Sequence, residues 1–194
     1  LHLQILAYLE PIDLKSDSLG SKQCRACALE DMLFDTGASI VCMKQAVEAG
    51  ARKIKFTSCK DTVMVALDFF DKIAELKVEK DGCSILSTLD RFHRLTMLDM
   101  SYLRKEYFPV LPSVLPSTLV ELRCSWNRLE HLPPLPSTLK TLICQSNRLT
   151  ELPPLPPTLL KLDCSYNPLT ALPTLPPCLV ELYCVNNREN QNPH

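Results

Sequence analysis

The feature that most constrains the fold of this chain is a leucine that recurs every 20 residues through its C-terminal half. A second leucine stands three positions before each of them, a cysteine two positions after, and an asparagine three positions after the cysteine. Each copy therefore reads L-x-x-L-x-C-x-x-N, at Leu122, Leu142, Leu162 and Leu182. Repetition at a fixed interval predicts stacked coils, each of which buries its apolar side against its neighbours.

The unit is the leucine-rich-repeat signature with cysteine in the third apolar slot. The second leucine of the signature and the cysteine stand two positions apart, and this alternation of apolar residues predicts a short strand in each coil. Stacked coils then form a parallel sheet. We expect the asparagines to bond backbone groups of their own turn and of the adjoining coil, which makes them structural: Asn127, Asn147, Asn167 and Asn187.

Looser matches extend the frame toward the N-terminus and predict nine repeats. The earlier apolar triplets are Leu95/Leu98/Met100, Ile73/Leu76/Val78, Ala51/Ile54/Phe56, Leu29/Met32/Phe34 and Leu9/Ile12/Leu14. The second slots then step by 20, 22, 22, 22 and 24 residues from Ile12 to Leu122, before the interval becomes 20. The alternative for these five triplets is an unrelated helical cap.

The return path of each coil should differ between the two halves, because fifteen of the 16 prolines lie from Pro109 onward. Proline fixes φ and removes a donor, so segments such as 132–136 and 152–157 favour extended or polyproline-II backbone. Before residue 105 the apolar spacing predicts helices behind the sheet, at Val63/Leu67/Phe70 after an N-cap at Asp61, and at Ile40/Met43/Val47.

The predicted fold is therefore an α/β solenoid, a horseshoe with a parallel concave sheet. One leucine-rich-repeat domain spans residues 1–194, with helix-backed 22-residue repeats over 1–105, 20-residue repeats over 106–190 and a tail over 191–194.

The cycle L-P-x-L-P-x-x-L-x-x-L-x-C-x-x-N-x-L between Leu132 and Leu182 resembles the LPX-type leucine-rich repeats of secreted bacterial effectors. That family includes invasion-plasmid-antigen-H-type ubiquitin ligases and the Yersinia outer protein M type, and the resemblance covers about residues 111–190. It implies a protein-interaction domain, which in the ligases recognises substrates and restrains a separate catalytic domain. The chain departs from the family in its helix-backed coils, and nothing resembling a ligase domain follows Asn187. We therefore expect no ligase activity within these residues, and substrate recognition for a larger ligase is kept as an alternative.

Four cysteines share one repeat position, which should place Cys124, Cys144, Cys164 and Cys184 on neighbouring rungs about 4.8 Å apart. Tetrahedral zinc needs four ligands around one ion, and a linear row offers two neighbours to any point. Buried thiols that pack as small apolar groups are the favoured interpretation, with a metal or redox device as the alternative. Unlinked cysteines fit a reducing compartment, either the cytoplasm or the host-cell cytoplasm after secretion.

Other functional classes receive little support from the sequence. A net charge of −1 gives no broad attraction to nucleic acid or anionic membranes, and no apolar run reaches the roughly 18 residues that span a bilayer. The four histidines fall on unrelated coils or termini, and no glycine-rich phosphate loop is present. We expect no enzyme activity, cofactor, metal or small-molecule substrate.

The residues between the inward leucines should face the concave side and bind a protein partner. One row runs Glu75, Met97, Glu121, Thr141, Lys161, Glu181, and the next runs Lys77, Asp99, Arg123, Ile143, Asp163, Tyr183. Aromatic residues with arginine are typical of interface hot spots, and Ile143 is predicted to be exposed at their centre. The alternative is that these positions vary without function, with the aromatic residues stacking between coils. The predicted partner-binding residues are Tyr102, Glu121, Arg123, Trp126, Thr141, Ile143, Lys161, Asp163, Tyr166, Glu181 and Tyr183.

Overall fold

Within the described residues, eight parallel strands form one sheet in which every strand pairs with the next along the chain. The computed structural model describes residues 33–35, 47–48, 50–58, 70–103 and 111–187. The strands are β1 Leu33–Asp35, β2 Lys53–Ser58, β3 Glu75–Asp81, β4 Met97–Asp99, β5 Glu121–Arg123, β6 Thr141–Ile143, β7 Lys161–Asp163 and β8 Glu181–Tyr183. A parallel order without strand exchange is what a solenoid with one strand per coil requires.

The register confirms the predicted repeat frame from β2 to β8. Leu98 pairs with Leu122, and the same slot continues through Leu142, Leu162 and Leu182. From β3 to β7 this slot is fully buried, and the leucine three positions earlier is buried with it in most coils. The leucines thus form one continuous core beneath the sheet.

The predicted register of the first described strand is wrong by two residues. The sequence frame placed Met32 opposite Ile54, whereas Phe34 is the residue that pairs with Ile54. A two-residue shift keeps the same side chains on the same face, because the period of a strand is two, so apolar spacing could not distinguish the two registers. The predicted coil around Ile12 lies outside the described residues.

The return paths of the earlier coils carry helical turns. A 3₁₀ helix spans Phe70–Lys72 and another spans Gly82–Arg91. The rings of Phe70 and Phe92 lie 4.5 Å apart between centroids, and the Arg91 guanidinium sits 4.6 Å from the Phe70 ring. Most of the helix predicted before Phe70 lies outside the described residues, as does the segment from Ile40 to Met43.

The later return paths contain no helix or strand within residues 124–140 and 144–160, as the prolines predicted. A tight turn precedes each new coil, where Leu139 N–H donates to the Pro136 carbonyl at 3.1 Å and Leu159 N–H donates to Pro156 at 3.1 Å. Polyproline-II conformation itself stays a prediction. In the part of the chain that the structure describes, no helix is long and apolar enough to cross a membrane.

Candidate protein-binding face

The two predicted rows of outward-facing residues lie on adjacent rungs of the sheet. Arg123 pairs with Ile143, Ile143 with Asp163, and Asp163 with Tyr183. The other row is aligned in the same way from Glu75 to Glu181. The leucine between each pair faces inward, so the rows face the opposite side of the sheet.

A third column follows the five strands from β4 to β8 and has an unusual backbone. Its residues all have positive φ, between 56° and 60°: Tyr102, Trp126, Ser146, Tyr166 and Asn186. Their conformation is held by the neighbouring coil, since Trp126 N–H donates to the Gln145 carbonyl at 3.0 Å and Tyr166 N–H to Val185 at 2.8 Å. Left-handed backbone favours glycine or asparagine, so large aromatic side chains oppose the local preference here. We name these five residues the left-handed column.

The aromatic members of this column are exposed and partly stacked. Tyr102 is 68% exposed, Trp126 52% and Tyr166 55%. The rings of Tyr102 and Trp126 lie nearly parallel, with 9° between planes and 5.7 Å between centroids. They border a concave hollow of about 510 Å³ that Arg123, Ile143 and Gln145 also line. The sequence named these aromatics as candidates and gave stacking between coils as their alternative role, which the Tyr102–Trp126 pair shows, whereas the backbone conformation emerges only from the structure.

Charged side chains on the concave rows pair with one another. Arg123 bonds the carboxylate of Glu121 on its own strand. Two coils further on, Lys161 Nζ lies 2.6 Å from Glu181 Oε2 and 5.6 Å from the centre of the Tyr183 ring. The hydrogen bond with Lys161 lowers the pKa of Glu181, and the same bond raises the pKa of Lys161. Both side chains are solvent-exposed, so the pair fixes orientation more than it adds stability.

Three predicted site residues have structural roles or surroundings that the sequence did not indicate. Asp163 Oδ1 accepts the N–H of Ser165 at 3.1 Å, and Asp99 does the same for Ser101 at 3.0 Å, so these carboxylates hold the turn after the strand. Ile143, predicted to be exposed, is half-buried as part of the floor of the hollow. Thr141 is also half-buried, between Glu121 and Lys161.

The asparagine ladder has the predicted role of bonding backbone across coils. The carboxamide nitrogen of Asn147 donates to the Cys124 carbonyl at 3.0 Å and to the Cys144 carbonyl at 2.9 Å, while its oxygen accepts the N–H of Leu129 at 3.2 Å. Asn127 and Asn167 repeat this pattern. In the last coil the buried oxygen of Asn187 has no partner among the described residues.

A second ladder was missed by sequence reasoning. The hydroxyl of Thr138 donates to the carbonyls of Ser117 at 2.7 Å and Leu119 at 2.8 Å, and Thr158 repeats both bonds one coil later. Cys178 takes this position in the last coil. A signal was present, because Thr118, Thr138 and Thr158 recur at the 20-residue interval directly before the first leucine.

The cysteine row consists of thiols in the core. Cys124, Cys144 and Cys164 are buried and unlinked, and Cys184 in the last coil is half-buried. Burial raises the pKa of Cys124 and of Cys164 to about 12, and it also raises the pKa of Cys144 well above the ordinary value. A thiol that keeps its proton is a poor nucleophile and a poor metal ligand, so the packing interpretation is favoured over a metal or redox device. Within the described ranges no three metal-ligating side chains cluster.

Comparison with solved structures identifies the architecture. YopM from Yersinia enterocolitica is 31% identical to this chain, and the match covers 71% of this chain with a TM-score of 0.50. The chain is a leucine-rich-repeat solenoid. The likeness to YopM confirms the resemblance to the LPX-type effectors that the repeat motif indicated.

Two further solved structures are similar to this solenoid at TM-scores of 0.46. They are a Shigella effector leucine-rich-repeat domain, 22% identical over 88% of this chain and 67% of its own length, and YopM from Yersinia pestis, 26% identical over 70% and 40%. The solenoid spans 28% of the length of the Yersinia enterocolitica protein. No protein-family model and no curated protein matches the sequence.

Proposed function

We propose that this solenoid is a non-catalytic recognition module that binds a protein partner on its concave face. The observation that carries the proposal is the left-handed column, where Tyr102, Trp126 and Tyr166 are more than half exposed on backbone that favours smaller residues. A bulky residue with positive φ costs about 1 kcal/mol or more, and exposure of its ring to water recovers none of it. Contact with a partner supplies a reason for aromatic side chains at these positions.

The surroundings of the column suit a protein surface. Arg123 and Gln145 provide polar groups beside the stacked rings, and Ile143 provides an apolar floor. Aromatic anchors bordered by polar groups are the composition of interface hot spots. The coils hold these side chains at fixed spacing, so association requires little ordering of the solenoid.

We further propose that the module is the repeat part of a secreted bacterial effector that acts in the host-cell cytoplasm. The likeness to YopM supports the effector class. Buried, unlinked thiols at Cys124, Cys144 and Cys164 fit a reducing compartment.

Site-specific photo-crosslinking tests which face binds. A benzophenone amino acid is placed at Thr141 on the concave face or at the exposed Glu151 on the opposite wall of the same coil, and each protein is irradiated in lysate of a candidate host cell. We expect a discrete adduct from Thr141 and none from Glu151. Trp126→Ala should abolish it, since loss of a hot-spot ring weakens binding by about 2 kcal/mol, roughly 30-fold. Equal adducts from both positions would contradict binding through the concave face, and a Thr141 adduct that survives both Trp126→Ala and Tyr166→Ala would exclude the left-handed column as the anchor.

A further inference from the structure

The left-handed column lacks one ring in its centre. Its occupants in order are Tyr102, Trp126, Ser146, Tyr166 and Asn186, one on each successive coil. Tyr102 and Trp126 stack on each other, but Ser146 separates Trp126 from the next aromatic, Tyr166. The column therefore contains a gap of a single residue between two exposed rings.

The width of this gap follows from the spacing of the coils. Neighbouring strands of a sheet are about 4.8 Å apart, so residues two coils apart are separated by about 10 Å. A ring at the level of Ser146 would lie about 5 Å from each flanking aromatic. Aromatic pairs are favourable at centroid distances of about 4.5–7 Å, and the adjacent pair in this column already stacks at 5.7 Å.

The backbone of the gap is the same as that of its neighbours. Ser146 has φ of 56°, as Tyr166 does, and its N–H donates to the Ser165 carbonyl at 2.9 Å. The gap thus arises from the small serine side chain and not from a break in the coil. Ile143 and Gln145 on the same coil line the adjoining hollow.

We propose that the gap between Trp126 and Tyr166 receives one aromatic side chain of the protein partner, which completes a continuous stack over Ser146. This inference rests on the proposed function and names the group that the concave face recognises. A partner arginine is disfavoured because Arg123 lines the same hollow, and a partner carboxylate is disfavoured by the apolar Ile143. A neutral ring gains from both flanking faces without either penalty.

The fluorescence of Trp126 reports on this gap directly, because the chain contains one tryptophan. The probe is N-acetyl-p-nitrophenylalanine amide, whose nitrophenyl ring quenches an indole that it stacks upon. We expect saturable static quenching, in which fluorescence amplitude falls while the lifetime is unchanged. Ser146→Tyr fills the gap with the chain's own ring and should weaken this quenching at least tenfold. Tyr166→Ala should weaken it several-fold.

Asn186→Tyr is the matched control, because it adds the same ring to the same column beyond Tyr166. It should leave the probe affinity within twofold. Both tyrosine variants should fold, since Tyr102 and Tyr166 already occupy this backbone conformation, and equal urea midpoints would verify it. Purely collisional quenching in the parent chain, or equal quenching in Ser146→Tyr, would overturn the proposal.

The crosslinking adduct from Thr141 separates this proposal from the broader one. Ser146→Tyr should remove that adduct if the gap receives a partner ring. If the adduct persists in Ser146→Tyr and the probe shows no static quenching, the gap proposal fails while concave binding stands. If Thr141 gives no adduct in any host lysate but static quenching is observed, the proposed function fails instead.

Discussion

The coils before Leu103 and the coils after Leu119 are stabilised in different ways. The earlier coils enclose large side chains, with Phe70 and Phe92 in contact behind the sheet. The later coils have proline-rich walls and a core of leucine and cysteine. When a coil shortens and loses its helical wall, hydrogen bonds from side chains to the backbone of adjacent coils replace apolar volume.

The position of the asparagine ladder shows where this change occurs. Counted from the second-slot leucine, the asparagine position is occupied by Asp81 and Leu103 in the earlier coils and by Asn127 in the first of the later ones. Asn127 donates back to the Met100 carbonyl at 2.9 Å and accepts the N–H of Leu103 at 3.0 Å. The ladder therefore begins at the junction and ties the two kinds of coil together.

The largest effect is expected where the earlier coils depend on volume. Phe92→Ala should lower the free energy of unfolding by about 4 kcal/mol, because it removes a buried ring that packs on Phe70. Urea denaturation measures this loss, and the exposed His93→Ala is the control. A loss below about 1 kcal/mol would contradict a volume-dependent core in these coils.

The next effect tests the ladder of the later coils. Asn147→Ala should cost about 3 kcal/mol, because it removes four hydrogen bonds and leaves the buried Leu129 N–H without its acceptor. Asn187→Ala should cost about 1 kcal/mol less, because its carboxamide oxygen has no partner to lose among the described residues. Equal urea midpoints for Asn147→Ala and the exposed Arg148→Ala would contradict stabilisation of the later coils by the asparagine ladder.

Alkaline pH should affect the later coils through their buried thiols. The pKa of Cys124 is about 12 in the folded chain, against an ordinary value of 9.0, so the folded state holds this proton more tightly than the unfolded state does. The free energy of unfolding therefore keeps the full contribution of this buried thiol below pH 9. Between pH 9 and pH 12 that contribution falls by at most about 1.4 kcal/mol per pH unit. In Cys124→Ala, the free energy of unfolding from urea titrations should fall less steeply with pH, by the contribution of one proton. An unchanged slope would indicate that the thiol is not desolvated.

The smallest effect comes from the threonine ladder. Thr138→Val keeps the shape of the side chain but removes the bonds to the Ser117 and Leu119 carbonyls, so we expect a loss of about 1 kcal/mol. The exposed Thr150→Val serves as the comparison in the same urea titration. A stabilised Thr138→Val variant would show that the second ladder contributes nothing.

The sequence predicted those parts of the fold that repeat. Leucine and cysteine at a 20-residue interval determined the register from β5 to β8, and asparagine at the ninth position of each repeat predicted the hydrogen bonds of its own side chain. The register of β1 was wrong because a two-residue slip leaves the apolar face unchanged. The two ways of stabilising a coil were only partly visible, since proline content predicts the loss of helix but not the hydroxyl ladder that accompanies it.

The candidate site was predictable as a set of positions but not as an arrangement. Inward leucines fix which residues face outward, so the rows through Arg123 and Ile143 followed from the repeat alone. The positive φ at Trp126 depends on a hydrogen bond to the neighbouring coil, which no single repeat reveals. The half-burial of Ile143 was not predicted either, because the hollow that it lines is formed by residues of several coils.

Hydroxyl-radical footprinting of the solenoid, free and with its crosslinked partner, tests the concave-face account most directly. In the free chain, Tyr102, Trp126 and Tyr166 should be oxidised readily because all three rings are exposed, as should the exposed His131 on the far wall. In the complex we expect at least tenfold protection of the three aromatics and none at His131. Protection of His131 with the aromatics still reactive would contradict recognition through the concave face.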